Sequence, residues 1–291
     1  MRVVVTGANG LIGRHFIEHC AGDYEITALT RNKITPEQCP DKVTWVSTDY
    51  SYDSLMNICR GIDAILHLAS VRPYSTGSCY LENTKLDYLV YKVAADLGID
   101  NVTSISSRTV YGNMPIPWKE SEEVAPLSDY SLSKVVSEIN AKYFNENFNT
   151  KIKVLRLAQV FSHDEFNGGL LNVFFNNAKN NKPLEVSVKG VSREYIYIKD
   201  VVSSLSSSIM DKEKSGIFNL GTGEVNSIEG IAENICLVFG KPYLFSIKEN
   251  RKIVVENSLM DSSKFYDTFD WKPDYSIKMA IEDIYVNFYC D

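Results

Sequence analysis

Arg2-Val3-Val4-Val5-Thr6-Gly7-Ala8-Asn9-Gly10-Leu11-Ile12-Gly13 runs a short β-branched stretch into three glycines spaced three apart, and a helix-like Arg14 to Cys20 follows. Glycines at a strand-to-helix turn permit a tight reversal, close approach of backbone to a pyrophosphate, and tight packing of helix on strand. The helix start adds free N–H groups and the positive end of its dipole. The stretch therefore predicts the first β–α unit of a dinucleotide-binding sheet, with Gly7, Asn9, Gly10, Leu11, Ile12 and Gly13 against the cofactor. A turn used only for packing is the plainer alternative, and the position at the first strand end argues against it.

Further β-branched runs alternate with helix-like segments: Ile26 to Leu29, Val43 to Val46, Ala64 to Leu68, Val102 to Ile105 and Val154 to Leu157. That rhythm predicts an α/β fold, a Rossmann-like doubly wound parallel sheet. The runs are nearly continuously apolar, as strands covered on both faces should be. Leu86 to Leu97 is amphipathic and closed by Gly98. Beyond Ser162 the pattern loosens, with Pro, Gly and Asn up to Gly190, a strand-like Tyr195 to Ile198, and a second turn at Gly221 and Gly223. We expect residues 1–162 and 191–222 to form the NAD(P)-binding domain, and 163–190 with 223–291 a smaller substrate-binding portion sharing its cleft.

At 291 residues the chain can bury a sizeable core, and 44% hydrophobic with 23% charged residues is ordinary for a globular protein. A net charge of −7 excludes a broad basic footprint for nucleic acid or acidic lipid, so an anionic ligand must be gripped locally. Cys20, Cys39, Cys59, Cys79, Cys236 and Cys290 are scattered without metal-ligand spacing, as free thiols in a reducing compartment would be. No signal peptide or membrane-length apolar run is visible, which predicts a cytoplasmic protein.

Cofactor choice is read at the end of the second strand, where a carboxylate would bind the ribose 2′-hydroxyl of NAD. Thr30-Arg31-Asn32 stands there instead, and a guanidinium suits a 2′-phosphate, so NADP(H) is favoured over NAD(H). Asp49 is placed to accept from the adenine amino group, or simply to form a turn before Ser51. Tyr-x-x-x-Lys occurs at Tyr88 with Lys92, Tyr130 with Lys134, and Tyr195 with Lys199. Only Tyr130 follows the fifth strand and its Ser106-Ser107, in a segment where Ser131 to Glu138 reads as helix. On a helix, positions i and i+4 share a face. Hydride transfer between C–OH and C=O needs a matching proton transfer, and a phenol near pKa 10 needs a neighbouring cation to supply it at neutral pH. Lys134 is that cation, Tyr130 the acid–base, and Ser107 the hydroxyl that holds the reacting oxygen.

Taken together these residues resemble the extended short-chain dehydrogenase/reductase family, in its NAD-dependent epimerase/dehydratase (nucleotide-sugar) branch. The resemblance covers nearly the whole chain. It includes the glycine turn, His67-Leu68-Ala69, Asn83, Ser107 with Val110-Tyr111-Gly112, Tyr130 with Lys134, Arg156, Arg193 to Asp200, Asn219 to Gly223, and Trp271-Lys272-Pro273. It implies a catalytic set of Ser107, Tyr130 and Lys134, the last two also touching the cofactor along with Tyr50, Leu68 and Ala69. It implies that Arg193 grips a substrate diphosphate, with Ser107 and Gln159 also at the substrate; a surface ion pair of Arg193 with Glu194 or another acid is the bland alternative. His67 reads as a packed core histidine. A nucleotide-diphosphate sugar is the implied substrate, and a homodimer pairing the helices around Asn83 to Leu97 and Tyr130 to Tyr143 the implied assembly.

Departures narrow the chemistry. The family's 4,6-dehydratases carry Asp-Glu directly after the catalytic hydroxyl, where this chain has Arg108-Thr109. Its GDP-fucose synthases use a Cys two residues after the serine, where Thr109 stands. Gln159 and Ser162 replace a more usual Asn and Gly. Reduction of a 4-keto sugar by NADPH is the leading expectation, 4-epimerisation of a UDP-hexose type the alternative, and a non-catalytic NADP-sensing protein the remote one. His15-Phe16-Ile17-Glu18-His19 matches a zinc-peptidase pattern, but Phe16 and Ile17 should pack on the sheet, and no metal is expected.

Overall fold

The computed structural model describes residues 1–31, 43–71, 79–165, 169–186, 190–247 and 257–290; Asn32 and Cys39 lie outside them. In chain order the strands are β1 (Arg2–Thr6), β2 (Glu25–Thr30), β3 (Val43–Ser47), β4 (Ala64–His67), β5 (Asn101–Ser107), β6 (Lys151–Leu157), β7 (Gln159–Phe161), β8 (Leu184–Val186), β9 (Ser192–Arg193), β10 (Tyr195–Tyr197), β11 (Gly216–Leu220), β12 (Asn226–Ser227) and β13 (Phe245–Ile247). The α-helices are α1 (Leu11–Cys20), α2 (Tyr52–Ile58), α3 (Cys79–Leu97), α4 (Asp129–Asn147), α5 (Leu170–Lys179), α6 (Ile198–Met210), α7 (Ile228–Val238), α8 (Ser263–Phe269) and α9 (Ile277–Phe288). Seven strands make one sheet in the order β11-β6-β5-β4-β1-β2-β3, and every neighbouring pair in it is parallel.

Strand β1 shows why the apolar runs are continuous. Val3 and Val5 face the cluster that holds Phe16 and Ile17 of α1 and Val201, Val202 and Leu205 of α6. Val4 faces the opposite cluster, with Leu55 of α2, Val90 and Tyr91 of α3, and Phe144 of α4. All three valines are 0% exposed, so alternation along the strand changes which core a side chain enters, not whether it is buried. Strand β3, at the sheet edge, is only partly covered. A third cluster joins α5, α7 and α9 to β8 and β10.

Three features differ from the expectation. Strand β11 completes the sheet beside β6, a strand absent from the expected β-branched runs because it carries polar Asn219. Helix α4 runs well beyond the Ser131 to Glu138 core: the capping box of Ser128 with Ser131 starts it at Asp129, and buried Ala141 and Phe144 continue its packed face toward Asn147. Met260, Phe265 and Trp271, within the stretch assigned to the substrate portion, pack in the cluster of the sheet. The turn at Gly221 and Gly223 has a specific cause. Buried Glu194 accepts hydrogen bonds from the backbone N–H of Gly223 at 2.8 Å and of Met260 at 2.9 Å, and a Cβ on Gly221 would lie 2.1 Å from its carboxylate. Burial pushes the Glu194 carboxyl up, against those N–H groups. Arg193 therefore does not have Glu194 as a surface ion-pair partner.

Asp164 ties α1 to the loop after β7. It accepts from Ser162 Oγ at 2.6 Å and His15 Nε2 at 2.9 Å, and pairs with Arg14 at 3.0 Å. Burial opposes its charge, but the Ser162 and His15 bonds prevail and lower the carboxyl from 3.8 to about 2. A group depressed on folding contributes stability above its unfolded pKa and loses it as pH falls through the folded one. Asp164→Asn is thus expected to cost about 2 kcal/mol at neutral pH and nearly nothing below roughly pH 2, the folded value of the carboxyl. Urea unfolding at the two pH values checks this; an equal cost at both would contradict it.

Candidate active site

A groove of about 870 Å³ opens where β1, β2, β4, β5 and β6 end and α1 begins. Strand order reverses there, with β1 flanked by β4 and β2, the place where open α/β sheets bind ligands. Gly7, Asn9, Gly10, Leu11, Ile12 and Gly13 line one end. Gly7 has φ of +67°, and a Cβ there would lie 2.6 Å from the Ala69 amide nitrogen; one on Gly13 would lie 2.5 Å from the Gly7 carbonyl oxygen. The turn is thus shaped by the missing side chains. Helix α1 starts at Gly10 with no side-chain cap and no acid in its first turn, so its first N–H groups stay available for an anion. These residues fit a dinucleotide pyrophosphate.

At the next section of the groove Asn9 Nδ2 donates to Thr30 Oγ1 at 2.8 Å. Tyr50 fixes the turn from beneath: its hydroxyl accepts from Gly7 N and donates to the Leu29 carbonyl, both at 3.2 Å. Arg31 lies over the Tyr50 ring, 5.7 Å from its centroid, and 3.6 Å from Glu82. Thr30, Arg31 and Tyr50 line the groove and Asp49 does not. The Asp49 carboxylate accepts from Ser51 N at 2.9 Å, the turn-forming arrangement.

Leu68, Ala69, Ser107, Tyr130 and Lys134 line the groove together. Ser107 caps the short 3₁₀ turn after β5, and its Oγ accepts from Thr109 N at 3.2 Å and Thr109 Oγ1 at 3.0 Å. A serine hydroxyl has two lone pairs and one hydrogen. With both lone pairs engaged, Ser107 is left as a donor. Tyr130 stands in the first turn of α4, and Lys134 Nζ is 5.9 Å from its ring centroid. The other Tyr–Lys pairs are diverted: Lys92 bonds Asp96 and Lys199 bonds Asp283. His67 is buried between Thr6 and Asp87.

Gln159 also lines the groove, and its Oε1 accepts from Arg108 Nη2 at 3.2 Å. Arg193 does not line it; it sits on β9, paired with Asn226 of β12. Its charge and that of Arg108 both act on Tyr195, whose phenol is nevertheless pushed up by burial. Arg108 and Glu165 are lining residues the sequence reasoning passed over. For Arg108 the signal was its place next to Ser107; Glu165 carried none. The zinc-like helix pattern is broken up, since Phe16 and Ile17 are buried, Glu18 and His19 are exposed, and His15 joins His163 and Asp164 instead, with ligand atoms within 4.8 Å of one another.

The profile of the NAD dependent epimerase/dehydratase family matches residues 3–221. The dTDP-4-dehydro-6-deoxyglucose reductase of Escherichia coli is 23% identical over 311 residues, covering 99% of this chain and 98% of its own. A putative UDP-glucose 4-epimerase of Methanocaldococcus jannaschii is 24% identical over 306 residues, 97% and 96% of the two chains. Among solved structures, the UDP-N-acetylglucosamine 4-epimerase from Bacillus cereus is similar with a TM-score of 0.90 at 27% identity, covering 100% of this chain and 98% of that one. With the glycine cradle and the Ser107, Tyr130 and Lys134 wall already in place, the match settles kinship: the chain belongs to the NAD-dependent epimerase/dehydratase family and is an enzyme.

Proposed function

We propose that the protein transfers hydride at C4 of a nucleotide-activated sugar, as a 4-keto-sugar reductase that draws on NADPH. The observation that carries the reductase reading is Arg31. It directly follows β2 and lines the groove, whereas neither Glu82, which faces Arg31, nor Asp49, which bonds Ser51, is on the groove wall. The family match and a relative named as a 4-keto-sugar reductase support the reaction class.

A nicotinamide dinucleotide held at the Gly7, Gly10 and Gly13 turn would supply or accept the hydride when bound. Ser107 donates a hydrogen bond to the sugar O4, Tyr130 gives its hydroxyl proton to that oxygen, and Lys134 stabilises the phenolate left behind by Coulomb attraction. Gln159 and Arg108 line the groove beside Ser107 and would face the sugar and its diphosphate, the part expected of Arg193. The same residues would serve 4-epimerisation, which the likeness to a 4-epimerase structure favours. In that case no cofactor is consumed.

Purified protein with NADPH and a 4-keto nucleotide sugar is expected to consume NADPH in amounts equal to product. Arg31→Ala should weaken NADPH relative to NADH by about tenfold or more, the loss of a charge-assisted pair. Interconversion of two sugars without net consumption would replace the reductase reading by the epimerase. Leu81 and Tyr88 on α3 and Leu132, Ile139 and Tyr143 on α4 are exposed apolar groups. We read them as the pairing face of a homodimer, which the mass in solution would reveal.

A further inference from the structure

Asp87 carries a buried charge that the hydride-transfer scheme leaves unused. Its side chain is 1% exposed. Oδ1 accepts from His67 Nε2 at 2.8 Å. Oδ2 takes no hydrogen bond among the described residues and faces Lys134 Nζ at 3.9 Å. The nearby Ser137 hydroxyl is engaged with Tyr91 Oη at 3.0 Å. A bare carboxylate oxygen in a dry interior needs a cation beside it, and Lys134, itself buried, is the cation it meets.

Hydrogen-bond roles fix the rest of the chain of contacts. Thr6 Oγ1 accepts from Leu68 N and Ala69 N, both at 3.1 Å, which uses its lone pairs. Its hydrogen must go to His67 Nδ1, 2.7 Å away. The His67 proton is then on Nε2 and points at Asp87, so Asp87 is an acceptor on that side. Burial opposes its ionisation, but Lys134 and the His67 bond prevail and hold the carboxyl below its ordinary value.

The other titratable groups nearby do not neutralise Lys134. Glu138 on α4 is committed to Arg156 and Ser106. Tyr91 on α3 is pushed well above an ordinary phenol, by burial and by Asp87. His67 on β4 faces Asp87, and Tyr130 on α4 is the residue Lys134 is to serve. Lys153 shows what burial does without a carboxylate in contact. Its ammonium donates to Asn101 Oδ1 and the Asp211 carbonyl and is pushed down to about 8 by burial, against the charges of Asp211 and Asp100.

We propose that Asp87 is a positioning residue, which holds Lys134 as an ammonium at the groove wall while Thr6 and His67 lock Asp87 from the side of the cofactor turn. This rests on the reading of Tyr130 and Lys134 as the acid–base pair. The chain is a fixed charge and not a proton wire, since it ends at Thr6, which is buried. Its consequence is that removing the Asp87 carboxylate leaves Lys134 a lone buried cation, the form that burial disfavours.

Asp87→Asn keeps the acceptor for His67 and removes the charge. Carbon-13 NMR of the lysine ε-carbons, with the Lys134 signal identified by its loss in Lys134→Met, should show the Lys134 midpoint fall by about two pH units. In turnover, the variant should lose about tenfold near pH 9 and less than about threefold near pH 6.5. An unmoved midpoint, or a loss equal at all pH, would overturn the proposal. Should Asp87→Asn fold poorly, the double variant Asp87→Asn/Lys134→Met removes both charges and should melt higher than the single one; an equal or lower Tm counts against the pairing. The NMR titration needs no substrate. A shifted midpoint in a protein whose native form neither reduces a 4-keto nucleotide sugar nor interconverts 4-epimers would therefore sink the hydride-transfer reading and, with it, the catalytic meaning of the pair.

Discussion

Tyr130→Phe is expected to cut turnover by about 10²–10⁴-fold while leaving the fold and cofactor retention close to native. The size follows from the role: a phenylalanine cannot donate or accept the proton that must move with the hydride. The specificity of the effect follows from the structure. Among the described residues no hydrogen bond to the Tyr130 hydroxyl is present, and the backbone carbonyl that accepts from Ser133 is unaffected. Removing the oxygen therefore breaks no contact in the protein, and Tm should move by no more than a surface substitution would. Steady-state rates, a thermal melt and a cofactor titration on the same preparation check all three statements. Unchanged biological output from the variant would favour the non-catalytic, NADP-sensing alternative.

The parts of this site that were legible in the sequence have local causes. Gly7 and Gly13 announce themselves because a Cβ at either would strike backbone within the same turn or the adjoining strand end. Tyr130 and Lys134 announce themselves because a helix fixes their spacing. The β-branched runs were readable because helices cover both faces of the sheet, which leaves no polar alternation to confuse the period. What escaped has causes far away in the chain. Asn219 hid β11 because it is a buried polar residue whose partners are Tyr111, Trp118 and Asp261. Arg108, and not Arg193, reaches the groove because the 3₁₀ turn after β5 carries it there, while β9 pairs away with β12. Asp87 looked like one more polar position of an amphipathic helix until β4 and α4 were placed against it.

Arg156→Met is expected to destabilise the protein by about 3–5 kcal/mol, the usual cost of breaking a buried ion pair by removing one partner. Arg156 and Glu138 are 3% and 4% exposed. The guanidinium grips Glu138 with two bonds, Nε to Oε1 at 2.9 Å and Nη2 to Oε2 at 2.7 Å, and sends a third from Nη1 to the Tyr111 hydroxyl at 2.7 Å. Tyr111 passes that order on to Asn219 of β11 at 2.7 Å. Without Arg156 the Glu138 carboxylate keeps only Ser106 Oγ at 2.6 Å, and an unpaired charge remains in the core. The double variant Glu138→Gln/Arg156→Met carries no such charge and retains an acceptor for Ser106. It should therefore be more stable than Arg156→Met alone, by a coupling of about 1–3 kcal/mol, measurable by urea unfolding of the native, single and double variants. If the two substitutions simply added, the pair would be a bystander. Coupling would mean more than stability, because Ser106 precedes Ser107 on β5 and Glu138 lies one turn beyond Lys134 on α4. The pair thus bolts together the two elements that carry the Ser107 and Tyr130 hydroxyls proposed for catalysis, and the double variant should recover stability without recovering the full native rate.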